Sequence, residues 1–450
     1  MAEIKKILIA NRGEIVQRAV RTIREMGKKS VAVYSSGDKE ASYLKHADEA
    51  VCIGAPRSAD SYLNIPAIIA AAEMTGCDAI FPGYGFLSEN KDFVEICRLH
   101  NIKFIGPSVE VMERMSDKSK AKEEMIKAGV PVVPGSTGAI NSVAEAKVIA
   151  KEIGYPIMAK ASAGGGGRGL RLISSEKDFE QLYMAASSEA LAAFGDGSMY
   201  LERFINNPRH IEVQVVGDSH GNAIHIGERD CSLQRRHQKV IEESPAILLD
   251  EDTRVKLHAV AVKATKYLKY EGAGTFEFLA DDKQNIYFME MNTRLQVEHP
   301  VSEMVSGLDL IELMIRVAEG EKLPAQESIK FRGHAIECRI TAEDPNSFLP
   351  SPGKITQWMV PGGRNVRVDS HVYTNYVVPQ YYDSMIGKLI VWGRDRNKAI
   401  NIMKRALNEF EVTGIRTTIP FHIKMMENED FIANNYDTKY LENYKSLDDI

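Results

Sequence analysis

The sequence lacks the segments that would mark a membrane protein or a disulfide-stabilised one. No apolar run approaches the roughly 20 residues that a membrane helix requires. The start of the chain shows neither the long apolar region nor the cleavage site of a signal peptide. The five cysteines are odd in number, widely spaced and without a Cys-x-x-Cys pair. This pattern argues against disulfides and against zinc or iron–sulfur sites, and it predicts a cytoplasmic protein.

Positive charge is not in excess either. The 62 Asp and Glu residues outnumber the 56 Lys and Arg residues, and the net charge of −6 argues against nucleic acid as the main ligand. Internal repeats and low-complexity linkers are also missing from the sequence. The chain has 450 residues, of which 44% are hydrophobic and 26% charged. Such a composition predicts a globular protein with ample core and roughly two to four domains.

Strand-like and helix-like segments alternate in the first hundred residues. Short apolar runs at 7–10, 31–34, 79–81 and 104–106 predict buried strands joined by helices, which is the pattern of a parallel α/β sheet. The later segments mix strands and helices, so the predicted fold class is α/β with α+β. The predicted divisions are an N-terminal α/β domain (1–112), a helical linker (113–131), a small lid domain (132–203) and a C-terminal domain (204–450).

An acidic pair on two neighbouring strands is the strongest local signal. Residues 275–279 form one predicted strand, and polar and apolar side chains alternate over 290–298, which predicts a second. If both are strands, one face carries Glu290, Asn292, Arg294, Gln296 and Glu298. A four-residue loop over 282–285 places Glu277 opposite Glu290, where two carboxylates need a cation or a shared proton between them. Oxygen ligands of this kind suit Mg2+. The alternative is an amphipathic strand with a solvent-facing side.

A run of glycines forms the second strong signal. Residues 164–169 match the dinucleotide-binding pattern Gly-x-Gly-x-x-Gly, but they lie between two predicted strands instead of between a strand and a helix. They also lack the Gly-Lys-Ser/Thr end of a Walker A loop. Without Cβ atoms, the backbone of such a hairpin can turn its N–H groups towards a triphosphate, and Lys160 adds a positive charge. The alternative is a flexible surface loop.

Several segments together resemble biotin carboxylase, a family of ATP-grasp enzymes. The residues that carry the resemblance are 9–14, 160–169, 228–239, 274–278, 290–300, 333–339 and 381–384. The resemblance covers nearly the whole chain. It implies an ATP-grasp fold with a Rossmann-like N-terminal domain, a small mobile lid and a C-terminal domain.

The resemblance also implies a site for ATP and Mg2+ (or Mn2+) between the lid and the C-terminal domain. Residues that match nucleotide contacts of the family are Lys118, Lys160, Gly165, Gly166, Gly167, Glu202, Arg203, Phe204, Ile205, His210, Gln234 and His237. Those that match the metal ligands are Glu277, Glu290 and Asn292. Arg203 stands where the family often has Lys, and Arg is not a neutral replacement at a stacked or bidentate contact.

The substrate residues follow from the same resemblance. Bicarbonate is expected at Lys239, Arg294, Gln296, Val297 and Glu298. Glu298 would act as general base, and bicarbonate would attack the γ-phosphate of ATP to give carboxyphosphate. Arg339, held by Asp383, would stabilise the enolate of biotin, and Tyr84 and Gly85 match the biotin side of the pocket.

The resemblance finally implies partners. The chain has no Ala-Met-Lys-Met type biotinylation site. Biotin is therefore expected on a separate carrier protein, with carboxyltransferase subunits as further partners; the alternative is that this chain is part of a longer protein. The predicted process is the first half-reaction of acetyl-CoA carboxylase, in fatty acid biosynthesis, or of a related carboxylase. A homodimer is expected, although Arg364 stands where the family often has Phe in the dimer contact, beside Arg18, Arg21 and Arg367, and like charges repel. Another ATP-grasp ligase and a non-catalytic nucleotide sensor remain as alternatives.

Overall fold

The N-terminal part of the chain is a parallel sheet flanked by helices. In this computed structural model, the residues described are 3–136, 138–140, 142–161, 169–236, 238–442 and 444–449. The strands are β1 (Lys6–Ile9), β2 (Lys29–Tyr34), β3 (Glu49–Cys52), β4 (Ala79–Phe81) and β5 (Lys103–Phe104), and the helices are α1 (Glu14–Glu25), α2 (Ile65–Thr75) and α3 (Lys91–Leu99). The strand order is β3-β2-β1-β4-β5, all parallel. The predicted parallel α/β sheet is therefore confirmed.

Among the described residues, four α-helices and a small three-stranded sheet follow. They comprise α4 (Val109–Ser116), α5 (Lys118–Ala128), α6 (Val143–Ile153), β6 (Ile157–Ala161), β7 (Leu170–Ile173), α7 (Phe179–Phe194) and β8 (Met199–Arg203). The sequence predicted one helix over 113–131, but Asp117 interrupts it. Asp117 has extended backbone angles, and its side chain accepts a hydrogen bond from the N–H of Lys120, so it caps the second helix. The small sheet has the order β7-β6-β8 and packs against α6 and α7.

One large sheet organises the remainder. Its first five strands are β9 (Arg209–Gly217), β10 (Ala223–Arg235), β11 (Gln238–Ser244), β12 (Gly272–Ala280) and β13 (Ile286–Asn292), with α8 (Glu251–Leu268) between β11 and β12. Three more strands belong to it, namely β14 (His334–Thr341), β17 (Val366–Ser370) and β19 (Met385–Gly393). The order is β13-β12-β9-β10-β11-β14-β19-β17. All neighbouring strands in this sheet are antiparallel.

The later elements complete that sheet and cover it. They are α9 (His299–Ser306), α10 (Leu310–Ala318), β14 (His334–Thr341), β15 (Gly353–Lys354), β16 (Gln357–Met359), β17 (Val366–Ser370), β18 (Val377–Val378), β19 (Met385–Gly393), α11 (Arg396–Glu409), β20 (Glu411–Thr413), α12 (Ile419–Met425) and α13 (Glu429–Ile432). Among the described residues, no helix is both long and apolar enough to cross a membrane. We propose that the domains divide after residues 112, 131 and 203.

The predicted strand over 290–298 is wrong beyond its third residue. Strand β13 ends at Asn292, and residues 293–298 form an irregular turn that leads into α9. Polar residues in this turn are held by contacts from other elements instead of by strand pairing; for example, the backbone N–H of Thr293 donates to Glu89, 3.0 Å away. Alternation of side-chain type therefore persists here without the extended backbone that it normally indicates.

Candidate functional site

A cleft of about 1300 Å³ lies between the N-terminal sheet and the large sheet. The loops that follow β1 and β4 line one side with residues 11–14 and 84–86. Strands β10 to β14, the turn 294–298 and the loop 381–385 contribute to the other side. Ligands of parallel α/β sheets bind beyond the carboxyl ends of the strands, and the ends of β1 and β4 face this cleft.

A row of charged residues crosses four strands beneath the cleft. Glu290 lies opposite Glu277, Glu277 lies opposite Glu212, and Glu212 lies opposite Arg229. Residues directly opposite each other in a sheet project from the same face. The predicted pairing of Glu277 with Glu290 is therefore confirmed, and a third acid, Glu212, extends the row towards Arg229.

The hairpin reaches this pairing by a route that the sequence did not predict. Ala280 pairs with Ile286, so the loop has five residues, 281–285, instead of four. A register shift then lies between the pairs Phe278–Phe288 and Glu277–Glu290, with Met289 as the extra residue of a β-bulge. The longer loop and the bulge compensate each other, and the two acids meet.

The donor set around Glu277 suits a hard divalent cation. Its carboxylate accepts hydrogen bonds from Asn292 at 2.8 Å and from Gln296 at 2.7 Å, and Glu290 adjoins it across the hairpin. Burial raises the pKa of Glu277, but the charges of Lys239 and His210 outweigh burial and hold this pKa well below its ordinary value. An ionised carboxylate, a second carboxylate and an amide oxygen are typical Mg2+ ligands.

Lys239 is the centre of the polar network in the cleft. Its ammonium group contacts Glu212, lies 3.0 Å from Glu277 and lies 2.6 Å from Glu298. Burial lowers the pKa of Lys239, but the carboxylates outweigh this effect and place its pKa well above the ordinary value. Lys239 is therefore a cation that joins Glu277, a predicted metal ligand, to Glu298, the predicted base.

Arg339 occupies the opposite side of Glu298. Its guanidinium donates to Glu298 at 2.9 Å and to Glu242 at 2.6 Å. The prediction that Asp383 holds Arg339 is wrong, because Asp383 is exposed and its carboxylate accepts from the backbone N–H of Met385 at 2.9 Å. Two buried acids on other elements, Glu242 and Glu298, bind Arg339 instead.

The remaining predicted bicarbonate residues line the same cleft but have different partners. The side chain of Gln296 is buried, and it bridges Arg229 at 2.6 Å and Glu277 at 2.7 Å. Arg294 donates to Glu89 at 2.9 Å and to Asn292 at 3.0 Å. Direct contacts therefore join Lys239, Glu298 and Arg339, whereas Arg294 borders them from the metal side.

The predicted nucleotide contacts fall into two groups. Near the lid, Glu202 accepts from Lys160 at 2.6 Å and from Lys122 at 2.9 Å. In the cleft, Nε2 of His210 lies 3.0 Å from Glu212 and 3.2 Å from Glu277, and Nδ1 lies 3.0 Å from the amide of Gln234. Burial lowers the pKa of His210, but Glu277 and Glu212 outweigh it and raise that pKa to about 9.

The hinge after the lid is formed by backbone contacts. The N–H of Arg203 donates to Pro134 at 2.8 Å, and the N–H of Phe204 donates to Pro156 at 3.0 Å. The exposed side chain of Arg203 donates to the carbonyl of Ile153 at 3.2 Å, while Ile205 is buried. Predicted contacts that lie outside the described residues are Gly165, Gly166, Gly167, His237 and the side chain of Lys118.

The predicted biotin residues lie on the N-terminal side of the cleft. The amide of Asn11 donates to the carbonyls of Pro82 and Tyr84 at 2.7 and 2.8 Å, which fixes the loop. The hydroxyl of Tyr84 donates to Glu14. Gly85 has a φ of 68°, a conformation that favours glycine. Both predicted residues line the cleft.

The expected repulsion among the arginines near Arg364 is offset by acids. Arg18 lies 2.9 Å from Glu303 and 2.8 Å from Asp309. Arg367 lies 2.7 Å from Glu303 and 2.6 Å from Asp369. The fold places the carboxylates of Glu303, Asp309 and Asp369 beside these arginines, although the acids are distant from them in the sequence or, for Asp369, two residues away.

Four buried charged residues of this region were not predicted. They are Glu212, Arg229, Glu242 and Lys388. Glu212 and Lys388 stand between apolar or small residues inside a strand, where a charged side chain is rare unless it is paired, and that interruption was the available signal. Arg229 and Glu242 each have a charged neighbour in the sequence and carry no such signal.

Family models match almost the entire chain. Residues 3–112 match the model described as biotin carboxylase, N-terminal domain, and residues 337–443 match biotin carboxylase C-terminal domain. Residues 117–326 match the ATP binding domain of the carbamoyl-phosphate synthase L chain.

Named relatives and solved structures agree with these matches. A biotin carboxylase from a Nostoc species is 58% identical over 439 residues, which are 97% of this chain and 98% of that protein. A crystal structure described as a biotin carboxylase-beta-gamma-ATP complex from Campylobacter jejuni is 69% identical with a TM-score of 0.92, and the match covers 98% of this chain and 99% of that one. The biotin carboxylase domain dimer of Hydrogenobacter thermophilus 2-oxoglutarate carboxylase, solved with MgADP, ADP and bicarbonate, is 49% identical with a TM-score of 0.89 and 98% coverage of both chains.

Proposed function

This chain belongs to the biotin carboxylase family and has its ATP-grasp fold, and we propose that the cleft described above is its active site. The protein is an ATP-dependent ligase that carboxylates the ureido nitrogen of biotin with bicarbonate. The observation that carries the site assignment is the position of Lys239 and Arg339 on either side of Glu298. In that position Glu298 contacts both Lys239, the cation assigned to bicarbonate, and Arg339, the cation assigned to biotin.

The row of acids supplies the place for the metal. Glu277, Glu290 and Asn292 would hold Mg2+, whose charge, when bound, offsets that of the phosphates during transfer. Lys160 and His210 provide positive charge for the nucleotide from the lid and from the sheet. Glu202 keeps Lys160 in position through the 2.6 Å ion pair.

The first chemical step uses Glu298 as the base. Burial raises the pKa of Glu298, but the charges of Lys239 and Arg339 outweigh it and keep this pKa below the ordinary value, so the carboxylate is ionised at neutral pH. Lys239 and Arg294 bind bicarbonate, and Glu298 removes its proton. The oxygen then attacks the γ-phosphorus of ATP, and carboxyphosphate and ADP form.

The second step moves the carboxyl group to biotin. Carboxyphosphate breaks into CO2 and phosphate, and the phosphate takes the proton of the ureido nitrogen. Arg339 stabilises the enolate oxygen that results, since an oriented cation is most effective where charge develops in a site shielded from water. The nitrogen attacks CO2, and carboxybiotin and hydrogen phosphate are the products.

We further propose the partners of the reaction. Biotin arrives on a separate carrier protein, and carboxyltransferase subunits of acetyl-CoA carboxylase or a related carboxylase consume carboxybiotin. Two copies of the chain form a homodimer, as the biotin carboxylase domain of Hydrogenobacter thermophilus 2-oxoglutarate carboxylase does. The protein acts in the cytoplasm.

Transfer of radiolabelled bicarbonate to biotin tests the function. We expect label in biotin only with ATP and Mg2+, and we expect Glu298→Gln to lower the rate about 100-fold or more, because loss of a general base typically costs that much. Glu312→Gln is the control, since Glu312 is partly exposed and pairs with Arg316 on the surface of α10. Phosphate release that needs an amine and a carboxylate, but neither bicarbonate nor biotin, would contradict the assignment.

A further inference from the structure

A fully buried lysine beside the cleft takes no part in the steps above. Lys388 lies on β19 between Gly387 and Leu389, and its side chain has 0% exposure. Its ammonium group donates to the carbonyl of Val297 at 2.7 Å and lies 3.1 Å from Oε1 of Glu14. Removing a lysine from water is costly unless its partners are well placed, so these two contacts explain how the fold tolerates it.

The contact with Val297 sets the orientation of the peptide that precedes the base. A peptide unit is planar and trans, so the carbonyl of Val297 and the N–H of Glu298 lie in one plane and point in opposite directions. When Lys388 holds the oxygen, the N–H of Glu298 points away from Lys388. This peptide belongs to the turn that separates β13 from α9, where strand pairing supplies no other restraint.

The contact with Glu14 leads to the other side of the cleft. Glu14 is buried at the start of α1, and the same Oε1 atom accepts the hydrogen bond from the hydroxyl of Tyr84. The ammonium group of Lys388 also lies 5.9 Å from the centre of the Tyr84 ring. A continuous chain of contacts therefore runs from Val297 through Lys388 and Glu14 to Tyr84.

We propose that Lys388 is a positioning residue that fixes the bicarbonate turn at Val297 relative to the biotin side of the cleft at Tyr84. The inference rests on the proposed function, which assigns bicarbonate to the turn and biotin to Tyr84. Lys388 touches neither substrate; it acts through the Val297 peptide and through Glu14. A change at Lys388 should therefore alter substrate affinity while the nucleotide contacts, which lie on other strands, stay intact.

The charge of Lys388 supports this role. Burial lowers its pKa, but Glu14, Glu337 and Asp369 outweigh burial, and the pKa lies above the ordinary value in spite of Arg367 nearby. Asp369 lies opposite Lys388 on the neighbouring strand. The side chain is therefore a cation at neutral pH, and charge-assisted hydrogen bonds are the stronger ones.

The chain offers a matched control for a buried lysine. Lys28 donates to the carbonyl of Ile4 at 2.7 Å and to the carboxylate of Glu319 at 2.7 Å, so it also joins one carbonyl and one acid. Its side chain is 11% exposed, and neither Lys28 nor its partners line the cleft. Substitution of Lys28 should cost stability without a selective effect on bicarbonate.

The experiment compares Lys388→Met with Lys28→Met in the bicarbonate-dependent ATPase reaction and in biotin carboxylation. We expect Lys388→Met to raise the KM for bicarbonate about 10- to 100-fold, as loss of a group that orients a ligand-binding residue commonly does. The KM for biotin should also rise, and the KM for ATP should stay near that of the unsubstituted protein. Lys28→Met should leave all three values near those of the unsubstituted protein.

A second variant separates positioning from stability. Lys388→Met leaves the Glu14 carboxylate buried without its cation, so the double variant Glu14→Gln/Lys388→Met removes that orphan charge. We expect the double variant to recover thermal stability but to keep the raised KM for bicarbonate. The inference is overturned if the double variant has an ordinary KM for bicarbonate. It is also overturned if both variants lose soluble protein while the fraction that folds has an ordinary KM for bicarbonate.

The outcomes also distinguish the inference from the proposed function. If the unsubstituted protein transfers no label from bicarbonate to biotin, the proposed function fails first. If it transfers label, if Glu298→Gln abolishes transfer and if the Lys388 variants keep ordinary KM values, only the inference fails.

Discussion

Arg339 contacts two buried acids that have opposite protonation tendencies. Burial raises the pKa of Glu242 to about 7, although Arg339 counteracts part of that rise. Burial also raises the pKa of Glu337, which lies opposite Glu242 on the next strand. The pKa of Glu298 is instead lowered, because Lys239 and Arg339 both face it. The surroundings of Glu298 thus favour its ionised form, which can accept a proton. Those of Glu242 and Glu337 favour a proton on that pair.

Replacement of Arg339 should separate the two chemical steps. In Arg339→Met the enolate of biotin loses its cation, and we expect carboxybiotin formation to fall about 100- to 1000-fold, the usual effect of removing one such donor. Binding of ATP should change little, because the acids that Arg339 contacts in the described part of the chain, Glu242 and Glu298, are not assigned to the nucleotide. Labelled carboxybiotin and the Kd of ATP are the two measurements.

Arg316→Met is the control for this prediction. Arg316 is 49% exposed and pairs with Glu312 and Glu321 on the surface, so its removal should affect neither measurement. An Arg339→Met protein that forms carboxybiotin at the ordinary rate would remove Arg339 from the mechanism.

At the scale of elements, the hairpin β12–β13 matters most. Its five-residue loop shifts the register by one position, and the bulge at Met289 shifts it back before Glu290. A shift of one residue in a strand reverses the faces of all residues that follow. The acidic pair therefore depends on the loop and the bulge together.

Length changes at the bulge test this dependence. Deletion of Met289 removes the extra residue and leaves Glu277 opposite Glu290, so we expect Mg-ATP binding to be largely retained. Insertion of an alanine between Met289 and Glu290 moves Glu290 to the sheet face opposite Glu277. We expect the Mg-dependent affinity for ATP to fall about 10-fold or more, because the two acids could no longer bind the same metal ion. Calorimetric titration with Mg-ATP, repeated with EDTA, measures both.

An alanine inserted after Lys283 is the matched control for the hairpin. It lengthens the exposed loop, which costs little free energy, and it leaves the strand pairs unchanged. If the deletion and the insertion at Met289 weaken Mg-ATP binding equally, register does not determine the metal site.

At the scale of the whole molecule, Glu303 joins three parts of the chain. Its carboxylate lies on α9 and contacts Arg18 of α1 at 2.9 Å and Arg367 of β17 at 2.7 Å, and it accepts from the N–H of Leu310 at 2.8 Å. The N-terminal sheet and the large sheet are thereby linked by one buried acid. Burial raises the pKa of Glu303, but Arg18 and Arg367 outweigh it and keep this pKa low.

Loss of that charge should destabilise the protein. In Glu303→Gln two largely buried arginines lose their shared carboxylate but keep Asp309 and Asp369. We therefore expect the free energy of unfolding to fall by about 1.5–3 kcal/mol, the usual contribution of hydrogen bonds to charged groups. Urea denaturation measures the change. Glu312→Gln on the neighbouring helix α10 removes an exposed pair and should cost less than about 1 kcal/mol. Equal costs for both variants would contradict the linking role of Glu303.

Some features of the site could be predicted from the sequence because they are local. The parallel sheet follows from apolar runs separated by helices. Two strands joined by a short loop indicated that Glu277 and Glu290 face each other, although the five-residue loop and the β-bulge that produce this pairing were not predicted. The predicted positions of Lys239, Glu298 and Arg339 came from a resemblance, and the structure brings these three into direct contact. Their catalytic roles stay predictions until the variants are measured.

Other features depended on contacts between distant segments. The turn after Asn292, the partners of Arg339 and the acids between Arg18 and Arg367 each join residues far apart in the chain. Alternation of side chains over 290–298 could not reveal that the extended backbone ends at Asn292, because pairing and not side-chain pattern maintains a strand.

The amino-acid sequence by itself determined which residues have the charge and the hydrogen-bonding groups that this chemistry needs, and it determined the short-range geometry that aligns two acids on a hairpin. Only the tertiary structure decided which of those groups meet: Lys239 with three carboxylates, Arg339 with Glu242, and Lys388 with Val297 and Glu14. The physical reason is that a buried charge needs a partner, and that partner is placed by the packing of remote strands and helices instead of by neighbours in the sequence.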